Sequence, residues 1–194
     1  LNGKNPTPLI SEPVKPVRTK DEQLPRNESG KKLLNTIHDY FSSNVPSSYF
    51  VFERFTKYVL KSHDSNIIEL EVTRNTQDGG MDGFGKYRVG HSGHEHSFEF
   101  AMEAKCWNPG KSVGVKATSR LISRLKHRQL GYFVTTSYVA KQAYEEIRDD
   151  QHPVVIISGG DIVNILSSEA FMRDSNSLGR SSRSSGSAPR LRNS

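Results

Sequence analysis

The stretch that decides the fold is FEFAMEAKCW, residues 98–107, an apolar run in which Glu103 and Lys105 lie two positions apart. In a β-strand, side chains alternate between two faces, so Glu103 and Lys105 share one face with Glu99. The other face is apolar; its members are Phe98, Phe100, Met102 and Ala104. An ionised group in a core is costly unless a partner or a metal compensates it. The sequence therefore either pairs these charges for structure or uses them for chemistry.

The surrounding chain has 194 residues, enough for one globular domain with additional segments. The single cysteine, Cys106, cannot form an intramolecular disulfide, and no apolar run of about 18 residues is present. We therefore expect a soluble, intracellular protein with no membrane partner. The net charge of +6 comes mostly from the C-terminus, because residues 30–172 hold 17 Lys and Arg against 16 Asp and Glu. The overall charge is thus weak evidence for a nucleic-acid partner.

The two flanks differ from the centre in composition. Residues 1–29 contain five of the nine prolines and little apolar periodicity, which predicts an extended linker. The lack of an initiator Met favours an upstream domain that is absent from this sequence. Residues 173–194 are rich in Ser and Arg and predict a disordered tail. The folded domain is accordingly expected at residues 30–172.

Helical and strand patterns alternate through the centre. The predicted order is two helices, three strands, helix, strand, helix, strand and a short helix, at residues 30–43, 47–63, 67–74, 83–90, 97–107, 115–129, 130–137, 139–150, 153–158 and from about 160. This order predicts an α/β sandwich around a mixed sheet.

A second acid, Asp82, lies 21 residues before Glu103 in the glycine-rich stretch DGGMDGFG. The glycines at 79, 80, 83 and 85 predict a tight bend at the start of the strand that precedes the Glu103 strand. Two neighbouring antiparallel strands would bring the two carboxylates together. Carboxylate oxygens are the ligands that Mg²⁺ prefers, and a lysine beside them can orient or activate a water for attack on phosphorus.

Asp82 followed by Glu103-Ala104-Lys105 resembles the PD-(D/E)XK nuclease motif, and the wider sequence resembles the Mrr-type restriction endonucleases. A lone E-X-K occurs by chance, but here it belongs to an ordered set. The other members, within residues 51–166, are Phe52-Glu53 in a helix, the turn Gly79-Gly80-Met81-Asp82-Gly83, and VTTS at 134–137 followed by a helix. Met81 replaces the family's nominal proline, at a position that varies widely.

The resemblance implies a restriction-endonuclease-like sandwich, an α/β fold with a mixed central β-sheet flanked by helices. It also implies site residues: Asp82 and Glu103 as ligands of Mg²⁺, Lys105 as the residue that positions the attacking water, and Glu53 as an accessory acid. The alternative is that Glu103 and Lys105 form a purely structural pair with Asp82.

The predicted helix at 115–129 carries cations at four-residue spacing, namely Lys116, Arg120, Arg124 and Arg128. No acid lies at an i,i+4 position of this stripe, so it predicts contacts with DNA phosphates. Ser119 and Ser123 flank the stripe and could add hydrogen bonds to phosphate oxygens. A solvated helix face is the alternative.

Three further motifs have competing interpretations. NPGKS at 108–112 ends like a phosphate-binding loop, but Lys105 occupies the position of the first glycine, which excludes that interpretation. The segment HSGHEH at 91–96 offers three histidines for zinc, although a solvated hairpin tip is favoured. Trp107 could stack on a base, whereas a partly buried core tryptophan is the more frequent outcome.

These features predict a Mg²⁺-dependent DNA endonuclease of restriction type, the catalytic domain of a larger protein, which hydrolyses phosphodiester bonds. The expected partners are double-stranded DNA, a second copy of the chain for double-strand cleavage, and an upstream DNA-recognition domain in the same chain. The expected location is the cytoplasm of a prokaryotic cell. The alternative function is a catalytically inactive nucleic-acid-binding module that kept the nuclease fold. The intact set of Asp82, Glu103 and Lys105 favours the nuclease, because binding alone does not need it.

Overall fold

The computed structural model describes residues 17–43, 48–73, 81–126 and 129–169. The elements in chain order are α1 (Lys20–Gln23), α2 (Glu28–Ser42), α3 (Ser48–His63), β1 (Ile67–Val72), β2 (Gly83–Val89), β3 (His96–Lys105), α4 (Val115–Ile122), β4 (Leu130–Thr135), α5 (Lys141–Asp149), β5 (Val154–Ile157) and α6, over residues 159–169. Within these ranges, no helix is long and apolar enough to cross a membrane.

The five strands form one mixed sheet in the order β1-β2-β3-β4-β5. β1, β2 and β3 pair antiparallel, whereas β3, β4 and β5 pair parallel. Parallel neighbours need crossover connections, and α4 and α5 supply them. The predicted α/β fold, a mixed sheet flanked by helices, is confirmed.

Strand β3 separates two apolar layers, because its side chains alternate between the sheet faces. Phe100 and Met102 pack in one layer with residues of α2, α3 and α6. Ala101 packs in the other layer with residues of α4 and α5. Glu103 lies on the same face as Ala101 and is 0% exposed. The charged face of the opening stretch is therefore buried beneath α4.

Helix α4 ends earlier than the sequence pattern predicted. Its last residue is Ile122, and Arg124 N then donates to Leu121 O (3.0 Å), three residues back, so the chain tightens into a turn. The turn is needed because the chain must reverse before it enters β4 at Leu130. Residues 127–128, and Arg128 with them, lie outside the described residues.

Residues 17–29 pack on the domain, in contrast to the extended linker expected there. Gln23 is 1% exposed; its Nε2 donates to Val139 O (3.1 Å) and its Oε1 accepts from Val139 N (2.9 Å). Arg18 donates to Asp161 Oδ1 (2.8 Å) and to the main-chain oxygen of Ile156 (2.9 Å). The folded unit therefore begins before the predicted boundary at residue 30. Residues 1–16 and the predicted tail at 173–194 lie outside the described part of the chain.

The glycines of β2 allow close packing rather than the predicted bend. A Cβ atom at Gly85 would lie 2.2 Å from Glu69 O on β1 and 2.5 Å from the Phe100 ring on β3. The strands can approach this closely only without a side chain at that position. Gly79 and Gly80 fall in the undescribed segment 74–80.

HSGHEH forms the tip of the hairpin between β2 and β3. Gly90 and Gly93 adopt positive φ values of 108° and 89°, which favour glycine. All three histidines are exposed. In the described ranges, no group of three or more His, Cys, Asp and Glu side chains could hold a metal ion. The segment is thus a solvated turn rather than a zinc site.

Candidate active site

Asp82 is fixed beside the carboxyl end of β3 by main-chain hydrogen bonds. It immediately precedes β2; its N donates to Met102 O (3.1 Å), and its Oδ2 accepts from Ala104 N (2.7 Å). The Asp82 side chain thereby replaces a main-chain acceptor and continues the β2–β3 ladder by one rung. Because Asp82 is buried, its carboxylate is held on the Ala104 amide next to Glu103.

Glu103 is a buried carboxylate that faces three cations. Its Oε1 lies 2.7 Å from Lys105 Nζ, as expected for side chains that share one strand face. Two arginines approach from the α4 segment: Arg120 Nε lies 3.5 Å from Oε1, and Arg124 Nη1 lies 3.5 Å from Oε2. Positive charge therefore exceeds the charge of this one carboxylate.

Burial raises the pKa of Glu103 above its usual range, and the neighbouring charges act in both directions. The Lys105 ammonium lowers the pKa, whereas the Asp82 carboxylate raises it. Two carboxylates placed this closely repel each other unless cations compensate them. The site is therefore built to receive positive charge.

Helix α3 adds Glu53, the third acid. Glu53 is almost fully buried, and burial together with the Asp82 carboxylate raises its pKa to about 7. Lys105 lowers this pKa and Glu103 raises it further, which places all four groups in one electrostatic cluster. A carboxyl that titrates near neutral pH can accept or release a proton at physiological pH.

A pocket of about 170 Å³ opens between these groups. Its charged lining residues are Glu53, Asp82, Lys105 and Arg120, and Trp107 lies beside them. Trp107 is 40% exposed, so it is not the core residue that its type made more frequent.

The VTTS motif fixes the chain that follows β3. Thr136 is buried; its Oγ1 accepts from Trp107 N (2.9 Å) and donates to Trp107 O (2.6 Å). Ser137 Oγ donates to the main-chain oxygen of Lys111. Sequence reasoning assigned these residues no role at the site, although a run of polar residues at the end of a buried strand is the signal that identifies them.

The predicted cationic stripe is divided by the structure. Arg120 and Arg124 turn toward Glu103, so the expectation that they lack an acidic partner is wrong for these two residues. An i,i+4 rule considers only one helix, whereas this partner lies on β3. The remaining described members, Lys116, Ser119 and Ser123, are exposed on α4 or just after it.

The donor set at the end of β3 fits magnesium. Mg²⁺ sites in proteins use one or two carboxylates and retain several waters. Asp82 and Glu103 supply two carboxylates from adjacent strands. No larger ligand cluster of His, Cys, Asp and Glu occurs among the described side chains, so these two would be the protein's carboxylate ligands.

Comparison with known proteins places this site in a family. The model of the Mrr catalytic domain, described as restriction endonuclease, matches residues 47–166. The DNA modification-dependent restriction endonuclease AspBHI is similar, with 42% identity and a TM-score of 0.72 over 81% of this chain and 40% of that one. The MspJI restriction endonuclease, in complex with a 27-mer oligonucleotide, is similar with 28% identity and a TM-score of 0.63 over 78% of this chain and 34% of that one. No curated protein matches the chain.

This chain therefore spans less than half the length of either solved relative. The family match covers more than half of the chain and includes Glu53, Asp82, Glu103 and Lys105. The chain belongs to the Mrr catalytic-domain family of restriction endonucleases.

Proposed function

We propose that this chain is a Mg²⁺-dependent endodeoxyribonuclease domain that hydrolyses phosphodiester bonds in double-stranded DNA. The observation that carries the proposal is Glu103, a fully buried carboxylate beside Asp82 with three cations within 3.5 Å. A structural ion pair needs one partner. An excess of cations around paired acids suits a site where a metal ion and a phosphate meet.

The proposed roles follow from the positions of the side chains. Bound at Asp82 and Glu103, Mg²⁺ would stabilise negative charge on the scissile phosphate and lower the pKa of bound water. Lys105 Nζ donates a hydrogen bond to the attacking water and stabilises the negative charge that develops as the water loses its proton. Glu53, with a pKa of about 7, accepts that proton at neutral pH.

Arg120 and Arg124 are proposed as contacts to the phosphate at the cleaved bond. Arg120 lines the pocket with Asp82 and Lys105, so a small movement away from Glu103 would bring its guanidinium to a phosphate oxygen. Guanidinium groups bind phosphate oxygens through paired hydrogen bonds. Lys116, Ser119, Ser123 and Arg128 remain proposed contacts to more distant phosphates.

The names of the solved relatives suggest the substrate. One is a modification-dependent enzyme and the other was solved with an oligonucleotide. We propose that this domain acts on DNA with modified bases, that a separate upstream domain in the same protein recognises the modification, and that two copies cooperate in double-strand cleavage. In support, the chain spans only 40% and 34% of those relatives.

The test is a cleavage assay on modified and unmodified DNA in Mg²⁺ and in EDTA. Lys105→Ala should reduce cleavage about 100- to 1,000-fold, because it removes a group that acts mainly in the transition state. Its DNA affinity, measured in Ca²⁺, should change little. Lys141→Ala, an exposed lysine on α5, is the matched control and should cleave normally.

Metal-dependent nicking that persists unchanged in Lys105→Ala would contradict the proposed mechanism. DNA binding by the unsubstituted protein without cleavage of any modified or unmodified DNA would favour the inactive binding module.

A further inference from the structure

A second cleft, of about 590 Å³, lies between α3 and the end of β1. Its β1 wall consists of Glu71 and Val72. Its α3 wall combines cationic and aromatic side chains, which are Phe50, Arg54, Lys57, Tyr58 and Lys61. Three cations and one carboxylate give the cleft a net positive charge. Phe50 and Tyr58 are 39% and 41% exposed, so the aromatic side chains are accessible as well.

The cations of this cleft are not neutralised within the described part of the chain. Arg54 and Lys57 have no ion-pair partner there, and Lys61 Nζ donates only to an uncharged group, the main-chain oxygen of Ile68 (3.4 Å). Their spacing on α3, three and four residues, makes them neighbours on the helix surface, where like charges destabilise. A polyanion bound in the cleft would remove this repulsion.

Both walls of the cleft lead to the catalytic acids. On α3, Arg54 directly follows Glu53, whose pKa is raised by the charge of Asp82. On the β1 side, Val72 is followed by Thr73, whose N donates to Asp82 O (3.1 Å). The cleft therefore begins where the proposed active site ends.

We propose that this cleft binds the phosphate backbone of the DNA next to the cleaved bond. The inference rests on the nuclease function proposed above and extends the DNA contact surface from α4 to α3. An α-helix rises about 1.5 Å per residue, so Arg54 and Lys61 lie about 10 Å apart along the axis. At about 3.4 Å of duplex per nucleotide on one strand, this distance corresponds to roughly three nucleotides. The three cations thus follow a single strand away from the active site.

The experiment measures the salt dependence of duplex binding by the complete chain in EDTA. The cleft variant is Arg54→Gln, Lys57→Gln and Lys61→Gln together; glutamine preserves helix propensity. The control variant removes three cations elsewhere, Lys31→Gln, Lys32→Gln and Lys141→Gln; two of these lysines contact exposed acids. Each lost phosphate contact lowers the log–log slope by about 0.9, so the slope of the cleft variant should fall by roughly 2 to 3. The control should keep the slope of the unsubstituted protein.

An unchanged slope in the cleft variant, while the unsubstituted protein binds and cleaves DNA, would overturn this inference and leave the proposed nuclease function standing. Loss of both binding and cleavage in the unsubstituted protein would overturn the two together. Sedimentation provides a separate outcome: if the cleft variant loses self-association and keeps its salt slope, the cleft belongs to a second copy of the chain instead. Circular dichroism of each variant checks that the fold is retained.

Discussion

Glu103 and Glu53 are both buried acids, but the structure treats them differently. Glu103 has cations within 3.5 Å on both oxygens. No ion pair of Glu53 is present in the described chain, and burial is the main cause of its raised pKa. The first acid is therefore prepared for a cation, whereas the second is prepared for a proton. This difference separates a metal ligand from a proton acceptor among acids that the sequence alone presents as equivalent.

Glu53 should make stability depend on pH in the metal-free protein. Folding raises its pKa from 4.5 to about 7, so its protonated form is favoured in the folded state. The stability that this provides is complete below the unfolded pKa and is lost as pH rises through the folded pKa. In EDTA, the unsubstituted protein should lose stability relative to Glu53→Gln between pH 4.5 and about 7. Denaturant titrations across this range measure the effect.

Glu28→Gln, which changes an exposed carboxyl on α2, is the control and should follow the unsubstituted protein. Parallel stability curves for the unsubstituted protein and Glu53→Gln would show that folding does not raise the pKa of Glu53.

Local rules explain which parts of the site could be anticipated. Strand alternation places Glu103 and Lys105 on one face, and antiparallel order places Asp82 beside them, so these positions could be predicted from spacing. The contacts of Arg120 and Arg124 with Glu103 could not. Helical periodicity groups the two arginines on one side, but tertiary packing decides whether that side meets solvent or β3.

At the scale of elements, α4 links the core to the acids. Leu121 is buried in the layer beneath the sheet, while its neighbour Arg120 reaches Glu103. The helix is short because the chain must turn back to β4, and this turn places Arg124 on the second oxygen of Glu103. Sequence periodicity could predict the helix but not its end, since the turn depends on where β4 begins.

Arg124→Ala should therefore destabilise the metal-free fold. The Arg124 side chain is 25% exposed, and its removal leaves a buried carboxylate with fewer compensating charges. The free energy of unfolding should fall by about 1 to 2 kcal/mol, the usual range for a hydrogen bond to a charged group. Lys116→Ala, an exposed change on the same helix, should cost no more than about 0.5 kcal/mol. Chemical denaturation in EDTA compares the two variants, and equal losses would assign Arg124 to the solvated surface.

At the scale of the whole molecule, β3 is the strand at which the sheet changes from antiparallel to parallel pairing. Its antiparallel neighbour brings Asp82, and the crossover that its parallel neighbour requires brings α4. Glu103 and Lys105 lie where these two contributions meet. The order of predicted helices and strands was enough to indicate this mixed sheet, because a βαβ crossover and a hairpin leave different patterns in a sequence.

The packing of residues 17–29 lies beyond such patterns. Proline content and weak periodicity predicted a linker, yet Gln23 bonds to Val139, 116 residues away. A single glutamine carries no local signal for a contact at that distance. Its side-chain amide matches the donor and the acceptor of one peptide unit, which is a property of the folded chain and not of the segment.

Gln23→Ala should consequently destabilise the domain although it lies in a segment with the composition of a linker. The substitution leaves Val139 N and Val139 O without their side-chain partner in a buried position, and an unsatisfied buried polar group costs about 1 to 3 kcal/mol. Arg26→Ala, an exposed change in the same segment, is the control and should alter stability by no more than about 0.5 kcal/mol. Urea denaturation of the complete chain compares the two. If Gln23→Ala unfolds at the same urea concentration as Arg26→Ala, residues 17–29 contribute nothing to the folded unit and behave as the linker that their composition predicted.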